Sequence, residues 1–429
     1  MNRKQTFALG VLMAAGVLSF LSCKRNVFDE EKYIEIVTQQ SPVDSIEAGH
    51  NFTLAASHQI KVTANVEAGA KWLRILTDNP TTGHAATILG ETYCADGETV
   101  SLTFSAPVNQ TAFYAALVDA DEIHYTLRQF SASDSEIDFS EPMVVRGRRT
   151  RIPTVQTFSY CYEDQQPEAS EYSYNDLVLR MSYQRTGEKE LSLTVSLAAV
   201  GTTKKLAAAI RLPGIPKTAI DSIATEGERK GRGEDFDRNY DPLGTEYLTQ
   251  EGLLMRANKS GEAVVRLFED AHWAIDPSLT VDHGMMTRKR YNVVPTPGDD
   301  YELVTPRTIT YHIYFNDAAA LNSFRLDAID PFVVYGYNGA LWEIHLYPFQ
   351  GTKVFYEYNL VKSVKLLPWA IMVPKGDFRY PRTGYEIGYY RNGALFGTYM
   401  TVGHSFGEWV VDHTASTDWY DYPTLNMAF

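Results

Sequence analysis

The chain has 429 residues, of which 44% are hydrophobic and 21% are charged, so its composition is that of a globular protein and excludes an intrinsically disordered one. Asp and Glu number 53 against 39 Lys and Arg, and the resulting net charge of -14 argues against nucleic acid as a partner. Three cysteines are too few for a disulfide scaffold or a structural zinc site.

The N-terminus has the pattern of a cleaved export signal. Arg3 and Lys4 precede an apolar stretch at residues 7–20, which is shorter than the roughly 20 apolar residues of a membrane-spanning helix. Cys23 follows directly, as in a bacterial lipobox. We therefore predict a signal peptide at residues 1–22 and a lipid anchor on Cys23. An ordinary signal peptide that happens to contain a cysteine is the alternative.

Residues 23–45 are charged and contain few large apolar side chains, which predicts a tether between the lipid and the folded body. Glu30–Thr38 is a short helical pattern within it. The expected location is the outer membrane, on its periplasmic or its cell-surface face. Cys94 and Cys161 fall in different predicted domains, which favours two buried thiols over a disulfide.

Residues 46–145 show apolar residues at every second position between turn-forming residues, which predicts a small β-sandwich. The clearest alternations are Ile60, Val62 and Ala64, and then Val100, Leu102 and Phe104. The arginine-rich segment 146–153 ends in a proline and predicts a solvated linker.

Residues 155–429 are also rich in strand patterns, and the chain as a whole is predicted to be all-β. Alternation is strongest over residues 191–197 and 309–315. Asp317 is a helix-capping residue ahead of the helical pattern Ala318–Phe324.

Gly403–Gly407 matches the G-x-S-x-G pattern of a hydrolase nucleophile elbow, with Ser405 at its centre. That fold delivers its acid and its histidine on later strand–helix units, and only 22 residues follow Gly407. We therefore predict a glycine-flanked turn and no enzymatic activity.

Residues 235–246 nearly fit a calcium loop, because Asp235, Asp237, Asn239 and Asp241 alternate and Glu246 takes the twelfth place. Tyr240 stands where the sharp turn needs glycine. A solvated acidic loop is the preferred interpretation, and an irregular calcium-binding loop is the alternative.

A third acidic pattern begins with Tyr162–Asp164 and Tyr172–Val178. The later segments that go with it are Glu343–Leu346, Leu367–Pro374, Phe378–Pro381, Phe406–Trp409 and Asp418–Tyr420. Together these segments resemble the signature of LruC-type domains of bacterial surface lipoproteins. In these domains a Phe-Glu-Asp sequence is followed by Asp-Tyr-Asp-Phe-Asn-Asp and an apolar strand. The resemblance spans residues 155–429 and implies a larger β-sandwich or jelly-roll-like domain without an established activity.

Several oxygen-bearing side chains in this pattern form a candidate Ca²⁺ site. They are Glu163, Asp164, Glu171, Asn175 and Asp176. If the segment were a strand, Asn175 would lie on the same side as Ser173 and opposite Asp176. Glu171 and Ser173 depart from the family's aspartates, and the loss of a charge at Ser173 would weaken binding. The preferred interpretation is a structural network in which the side chains accept backbone hydrogen bonds, and the calcium site is the alternative.

These observations predict a lipid-anchored surface interaction or adhesion module with an unidentified protein or glycan as its ligand. Calcium is the one candidate cofactor, and otherwise none is predicted. The alternative is a carbohydrate-binding or carbohydrate-acting surface protein. Such a protein would use tryptophans to line a groove, although tryptophan in an all-β domain more often lies in the core. The tryptophans concerned are Trp273, Trp342, Trp369, Trp409 and Trp419.

Overall fold

The structure is a computed structural model of the chain. It describes residues 45–64, 70–95, 97–140, 145–165, 171–226, 246–250, 252–282, 285–359, 367–391, 394–396 and 403–429, and the single residues 32, 41, 43, 236 and 401. The predicted signal peptide, Cys23, the Glu30–Thr38 helix apart from Lys32, and most of the predicted tether lie outside these residues.

The first body of the protein is built from two sheets. Its strands are β1 (Ala55–Thr63), β2 (Ala70–Leu76), β3 (Thr87–Tyr93), β4 (Thr99–Pro107), β5 (Ala112–Asp119), β6 (His124–Ser131), β7 (Glu136–Asp138), β8 (Val145–Arg148) and β9 (Thr154–Val155). One sheet has the order β4-β1-β7 and the other the order β8-β6-β5-β2-β3-β9. The predicted alternation explains their packing, because Ile60, Val62, Leu102 and Phe104 are buried against the second sheet.

The basic segment 146–153 differs from its predicted role as a linker. Val145–Arg148 pairs with β6 as an edge strand, and Thr154–Val155 pairs with β3. An edge strand accommodates alternate arginines because their side chains reach solvent, and Arg146 forms an ion pair with Asp119. The sheet of the first body therefore continues as far as Val155.

The second body is a larger sandwich. Its strands are β10 (Thr157–Tyr162), β11 (Leu177–Arg185), β12 (Glu190–Ala199), β13 (Leu206–Pro216), β14 (Ile220–Thr225), β15 (Leu254–Arg256), β16 (Glu262–Phe268), β17 (Val281–Asp282), β18 (Met285–Met286), β19 (Arg290–Tyr291), β20 (Tyr301–Glu302), β21 (Arg307–Phe315), β22 (Asp330–Tyr337), β23 (Ala340–Ile344), β24 (Tyr358–Asn359), β25 (Ala370–Val373), β26 (Tyr389–Arg391) and β27 (Ala394–Phe396). Its two main sheets have the orders β14-β21-β12-β11-β10-β25 and β15-β16-β13-β22-β23-β24.

Strand alternation also determines the core of the second body. Leu191, Leu193, Val195 and Leu197 are fully buried, while the residues between them are half-buried, as the sequence pattern predicts. They pack with Ile210 and other residues of the facing sheet in one cluster. The all-β prediction is therefore confirmed, with a two-sheet sandwich in each body.

Among the described residues, three short α-helices interrupt the strands. They are α1 (Ala271–Ile275), α2 (Ala318–Asn322) and α3 (Phe406–Val411), and 3₁₀ turns lie at Lys217–Ala219, Tyr347–Phe349 and Trp419–Asp421. Asp317 caps α2 by accepting a hydrogen bond from the Ala319 N–H at 2.7 Å, as predicted. No described helix combines the length and the apolar character that crossing a bilayer requires.

The segment before β1 packs on the second body. Val43, Phe52 and Leu54 are buried in one cluster with Trp409 of α3, and the Glu47 N–H donates to the Val410 carbonyl at 3.0 Å. The predicted domain boundary at residue 46 therefore lies within the segment that packs against α3 before the chain enters β1.

The remaining core predictions concern cysteine and tryptophan. Cys94 and Cys161 are buried thiols in separate clusters, as predicted. Trp369, Trp409 and Trp419 are core residues with at most 4% of their surface exposed. Trp273 and Trp342 are half-buried.

Candidate functional site

The acidic pattern of residues 163–176 lies at one end of the β10–β11 hairpin. Tyr162 pairs with Leu177, so the residues that follow β10 and those that precede β11 must lie side by side. The Asp164 N–H donates to Asp176 Oδ2 at 2.8 Å, and the Asp176 N–H donates to the Tyr162 carbonyl at 3.1 Å. Strand pairing therefore brings the two separate acidic segments together.

Residues 171–175 do not form a strand, and the predicted alternation of Ser173, Asn175 and Asp176 does not hold. Tyr172 and Tyr174 have φ angles of 51° and 49°, which is unusual for aromatic residues. Burial of both rings stabilises this conformation, and the Tyr174 hydroxyl donates to the Pro368 carbonyl at 2.7 Å. Ser173 is turned inward as a result and is fully buried.

Ser173 joins two of the carboxylates. Its hydroxyl lies 3.1 Å from Glu163 Oε1 and 3.2 Å from Glu171 Oε1, although one hydroxyl proton can serve only one of them. The Tyr174 N–H also donates to Glu163. These contacts bring together Glu163, which is fully buried, and Glu171, which is half-buried.

Among the described residues, Lys204 is the cationic side chain that forms an ion pair with this cluster. Lys204 Nζ lies 3.1 Å from Asp164 Oδ1, and 44% of its side chain is exposed. Burial raises the pKa of Asp176 far above its ordinary value, and the charges of Asp164 and Glu163 raise it further. In the described part of the chain, four carboxylates thus share one ion-paired lysine, and this environment strongly favours a bound cation or a proton.

Two buried oxygen atoms of this acidic cluster, Asp164 Oδ2 and Asn175 Oδ1, lack hydrogen-bond partners among the described residues. Asn175 is fully buried, and its Nδ2 donates to the Pro381 carbonyl at 2.8 Å. A Cβ atom on Gly201 would lie 2.5 Å from Asn175 Oδ1, so glycine is required there for the close approach.

The donor set suits a hard cation, because it consists of carboxylate, hydroxyl and amide oxygens. The carboxylates of this cluster are too far apart for a compact metal site. Among the described residues, a compact group has at least three Asp, Glu, His or Cys residues with ligand atoms within 4.8 Å of one another, and this cluster does not meet that criterion. The groups that meet this criterion are Glu47, Asp412 and His413, and Asp119, Asp121 and His124. Binding of one cation at the predicted site would therefore require the carboxylates to move closer together.

The other two sequence motifs have different outcomes. The predicted calcium loop at 235–246 lies outside the described residues, apart from Phe236 and Glu246. Gly403–Gly407 is not simply a turn between two strands, because Ser405 is the N-cap residue of α3. The Ser405 hydroxyl accepts the Glu408 N–H at 3.2 Å, and the Glu408 carboxylate accepts the Ser405 N–H at 3.2 Å.

A second buried polar network was missed by sequence reasoning. His345 Nδ1 lies 3.0 Å from Asp330 Oδ2, and its Nε2 lies 3.2 Å from Glu343 Oε2. Burial lowers the pKa of His345, but Asp330 and then Glu343 outweigh this effect and raise it to about 9. The Glu343-x-His345 spacing placed both residues on one strand face, but nothing local identified Asp330 as their partner.

The fold and the site together define an all-β protein with two sandwich bodies and a buried acidic hairpin end. A family profile described as "Domain of unknown function (DUF4842)" matches residues 189–420. Because this match spans more than half of the chain, the protein belongs to that family.

The crystal structure of a candidate lipoprotein from Bacteroides ovatus is similar, with 15% sequence identity and a TM-score of 0.45, over 84% of this chain and 99% of that one. No curated protein gives a significant match.

Proposed function

We propose that this protein is a lipid-anchored component of the bacterial outer membrane and serves there as a non-enzymatic surface interaction or adhesion module. The observation that carries the proposal is Cys23 at the end of an apolar leader. The resemblance to LruC-type surface lipoproteins over residues 155–429 supports it. The role of Ser405 as a helix cap supports the absence of hydrolase chemistry at the G-x-S-x-G motif.

Mass spectrometry of the protein from membranes tests the anchor. The expected N-terminal peptide begins at Cys23 and carries two or three acyl chains, because a single chain would anchor only marginally. A Cys23→Ser variant is expected to lose the lipid and leave the membrane fraction. An intact leader, or a mature chain that begins at Lys24, would refute the anchor. Protease treatment of intact cells then distinguishes a cell-surface body, which is cleaved, from a periplasmic one.

We further propose that calcium occupies the acidic cluster and stabilises the second body. At neutral pH the raised pKa of Asp176 means that ionisation of this buried group opposes folding, and this cost grows as the pH rises above the ordinary aspartate value. A divalent cation would remove that cost. Calcium at about 100 times its Kd is expected to stabilise the fold by about 2.7 kcal/mol, and its binding should release protons.

Thermal unfolding with calcium and with EDTA measures this effect. Asp176→Asn keeps the acceptor for the Asp164 N–H and removes one charge, so this variant is expected to fold and to lose most of the calcium-dependent shift. Glu136→Gln is the matched control, because Glu136 is exposed and forms an ion pair with the exposed Lys61. An identical melting temperature with calcium and with EDTA in the unsubstituted protein would exclude the calcium site.

A second candidate is a carbohydrate-binding or carbohydrate-acting surface protein. The observation that favours binding is an open cleft with polar side chains between the two bodies. Glycan-array binding would support this candidate.

A further inference from the structure

A cleft of about 710 Å³ opens where the two bodies meet, which is within the size range of small-molecule sites and at a position where such sites are common. Both bodies contribute to its lining. The residues that matter here are Tyr93, Glu98 and Ala120 of the first body, and Arg185, Glu188 and Asn322 of the second.

The charges of the lining argue against an anionic ligand. Among the described lining residues the one cationic side chain is Arg185, and four of the five N–H groups of its guanidinium donate to the protein. Its Nη1 donates to Thr92 Oγ1 at 2.9 Å and to Asn322, its Nε donates to the Gly187 carbonyl, and its Nη2 donates to the Glu188 carbonyl. A phosphate or carboxylate in the cleft would therefore meet the carboxylates of Glu98 and Glu188, with Arg185 as its one cationic partner and a single N–H of that group left to donate.

Some polar atoms that line the cleft have no hydrogen-bond partner among the described residues, and these atoms suit the hydroxyl groups of a ligand. The Glu188 carboxylate is exposed and forms no hydrogen bond among the described residues, and one oxygen of Glu98 accepts the Ala95 N–H while the other is left over. The Asn322 Nδ2 donor is likewise left over, because only its Oδ1 is bonded. A hydroxyl group both donates and accepts, so it can use acceptors and a donor of this kind together.

An apolar surface accompanies these groups. Tyr93 lines the cleft and packs on Trp72 with ring centroids 3.9 Å apart, so the position of its ring is fixed. A sugar ring combines an apolar C–H face with a rim of hydroxyls, and an amphipathic aromatic ring suits the former.

We infer that the cleft between the two bodies binds a neutral saccharide. This assignment rests on the proposed surface function and gives its ligand class, with Tyr93 as the apolar contact and Glu98, Glu188 and Asn322 as partners for hydroxyl groups.

The test uses full-length protein, purified in a detergent without a sugar head group, on an array of neutral and acidic glycans. Ala120→Trp places a large side chain in the cleft from an exposed position, and Glu188→Ala removes an acceptor without touching the core. Ala319→Trp is the matched control, because Ala319 is an exposed alanine of α2 that does not line the cleft. Melting temperatures of all variants check folding.

The expected result is binding of at least one neutral glycan that weakens at least tenfold in Ala120→Trp and in Glu188→Ala and is unchanged in Ala319→Trp. Three outcomes would overturn the inference: no neutral glycan binds, the cleft variants bind as well as the unsubstituted protein, or the ligand blocked by Ala120→Trp is an acidic glycan. Acylation of Cys23 is measured separately, so failure of the cleft and failure of the anchor can be distinguished.

Discussion

Replacement of His345 by leucine is expected to lower the free energy of unfolding by about 3–5 kcal/mol, because it removes one member of a buried charge network. His345 is 2% exposed, and both of its ring nitrogens face carboxylates, so both must donate and the ring is an imidazolium. Without it, Glu343 and Asp330 remain buried with one partner fewer each. Chemical denaturation at pH 6 measures the loss.

The pH dependence distinguishes this mechanism from a simple loss of packing. The pKa of His345 is raised to about 9 in the folded protein, so its stabilisation is complete below about pH 6.5 and is lost as the pH rises towards 9. The difference between the unsubstituted protein and His345→Leu should therefore shrink by about 3 kcal/mol over that interval. A difference that does not change with pH would show that the ring acts only by its volume.

His84→Leu is the matched control, since the side chain of His84 is 69% exposed in its pair with Asp78. Its effect should stay within about 0.5 kcal/mol at every pH. The contrast follows from solvation, because water screens the exposed pair and does not reach the buried one.

The network also explains how the outer face of one sheet of the second body, the sheet that contains β22 and β23, is covered. Glu343 accepts the Val354 N–H at 2.9 Å and the Phe355 N–H at 2.6 Å, which holds this segment above β22 and β23. Val354 is then buried against Phe332 and Val334. In the His345 variant we expect this segment to be the first part to exchange its amide hydrogens.

The sequence predicted well those features that depend on neighbouring residues. Alternation over residues 191–197 identified β12 and its buried face, and Asp317 marked the start of α2. Period two and helix capping are local properties, so they can be recognised in a single sequence.

Features that depend on distant contacts were not predictable in the same way. Tyr172 and Tyr174 adopt left-handed φ angles because the core binds their rings, and no local pattern indicates this. Ser405 was recognised as part of a turn, but its cap depends on Glu408 three residues later, a spacing that matches a capping box and could have been identified. For the acidic site, the sequence identified the residues but not the inward turn of Ser173 that joins Glu163 to Glu171.

The contact between the two bodies was also invisible in the sequence, because its members are far apart along the chain. The Arg185 N–H donates to Glu91 Oε1 at 2.8 Å, and Arg74 Nε donates to Glu91 Oε2 at 2.9 Å. Burial raises the pKa of Glu91, and Arg74 opposes that rise. A buried carboxylate of the first body is thus held by one arginine of its own sheet and by the end of β11.

Arg185→Met is expected to uncouple the two bodies, so that a single thermal unfolding transition becomes two. Methionine keeps much of the apolar stem but loses the guanidinium bond to Thr92, which crosses to the first body, and the bonds to Asn322 and the 187–188 carbonyls, which position the guanidinium within the second body. Their loss should cost about 3 kcal/mol in total. Polar interfaces between domains of one chain tolerate relative motion unless such contacts hold them. Calorimetry measures the transitions, and Arg146→Met, at a half-exposed ion pair on the edge strand β8, should leave the profile unchanged. A single transition at an unshifted temperature in Arg185→Met would mean that apolar packing and the Arg185 backbone bond to Glu91 suffice to join the two bodies.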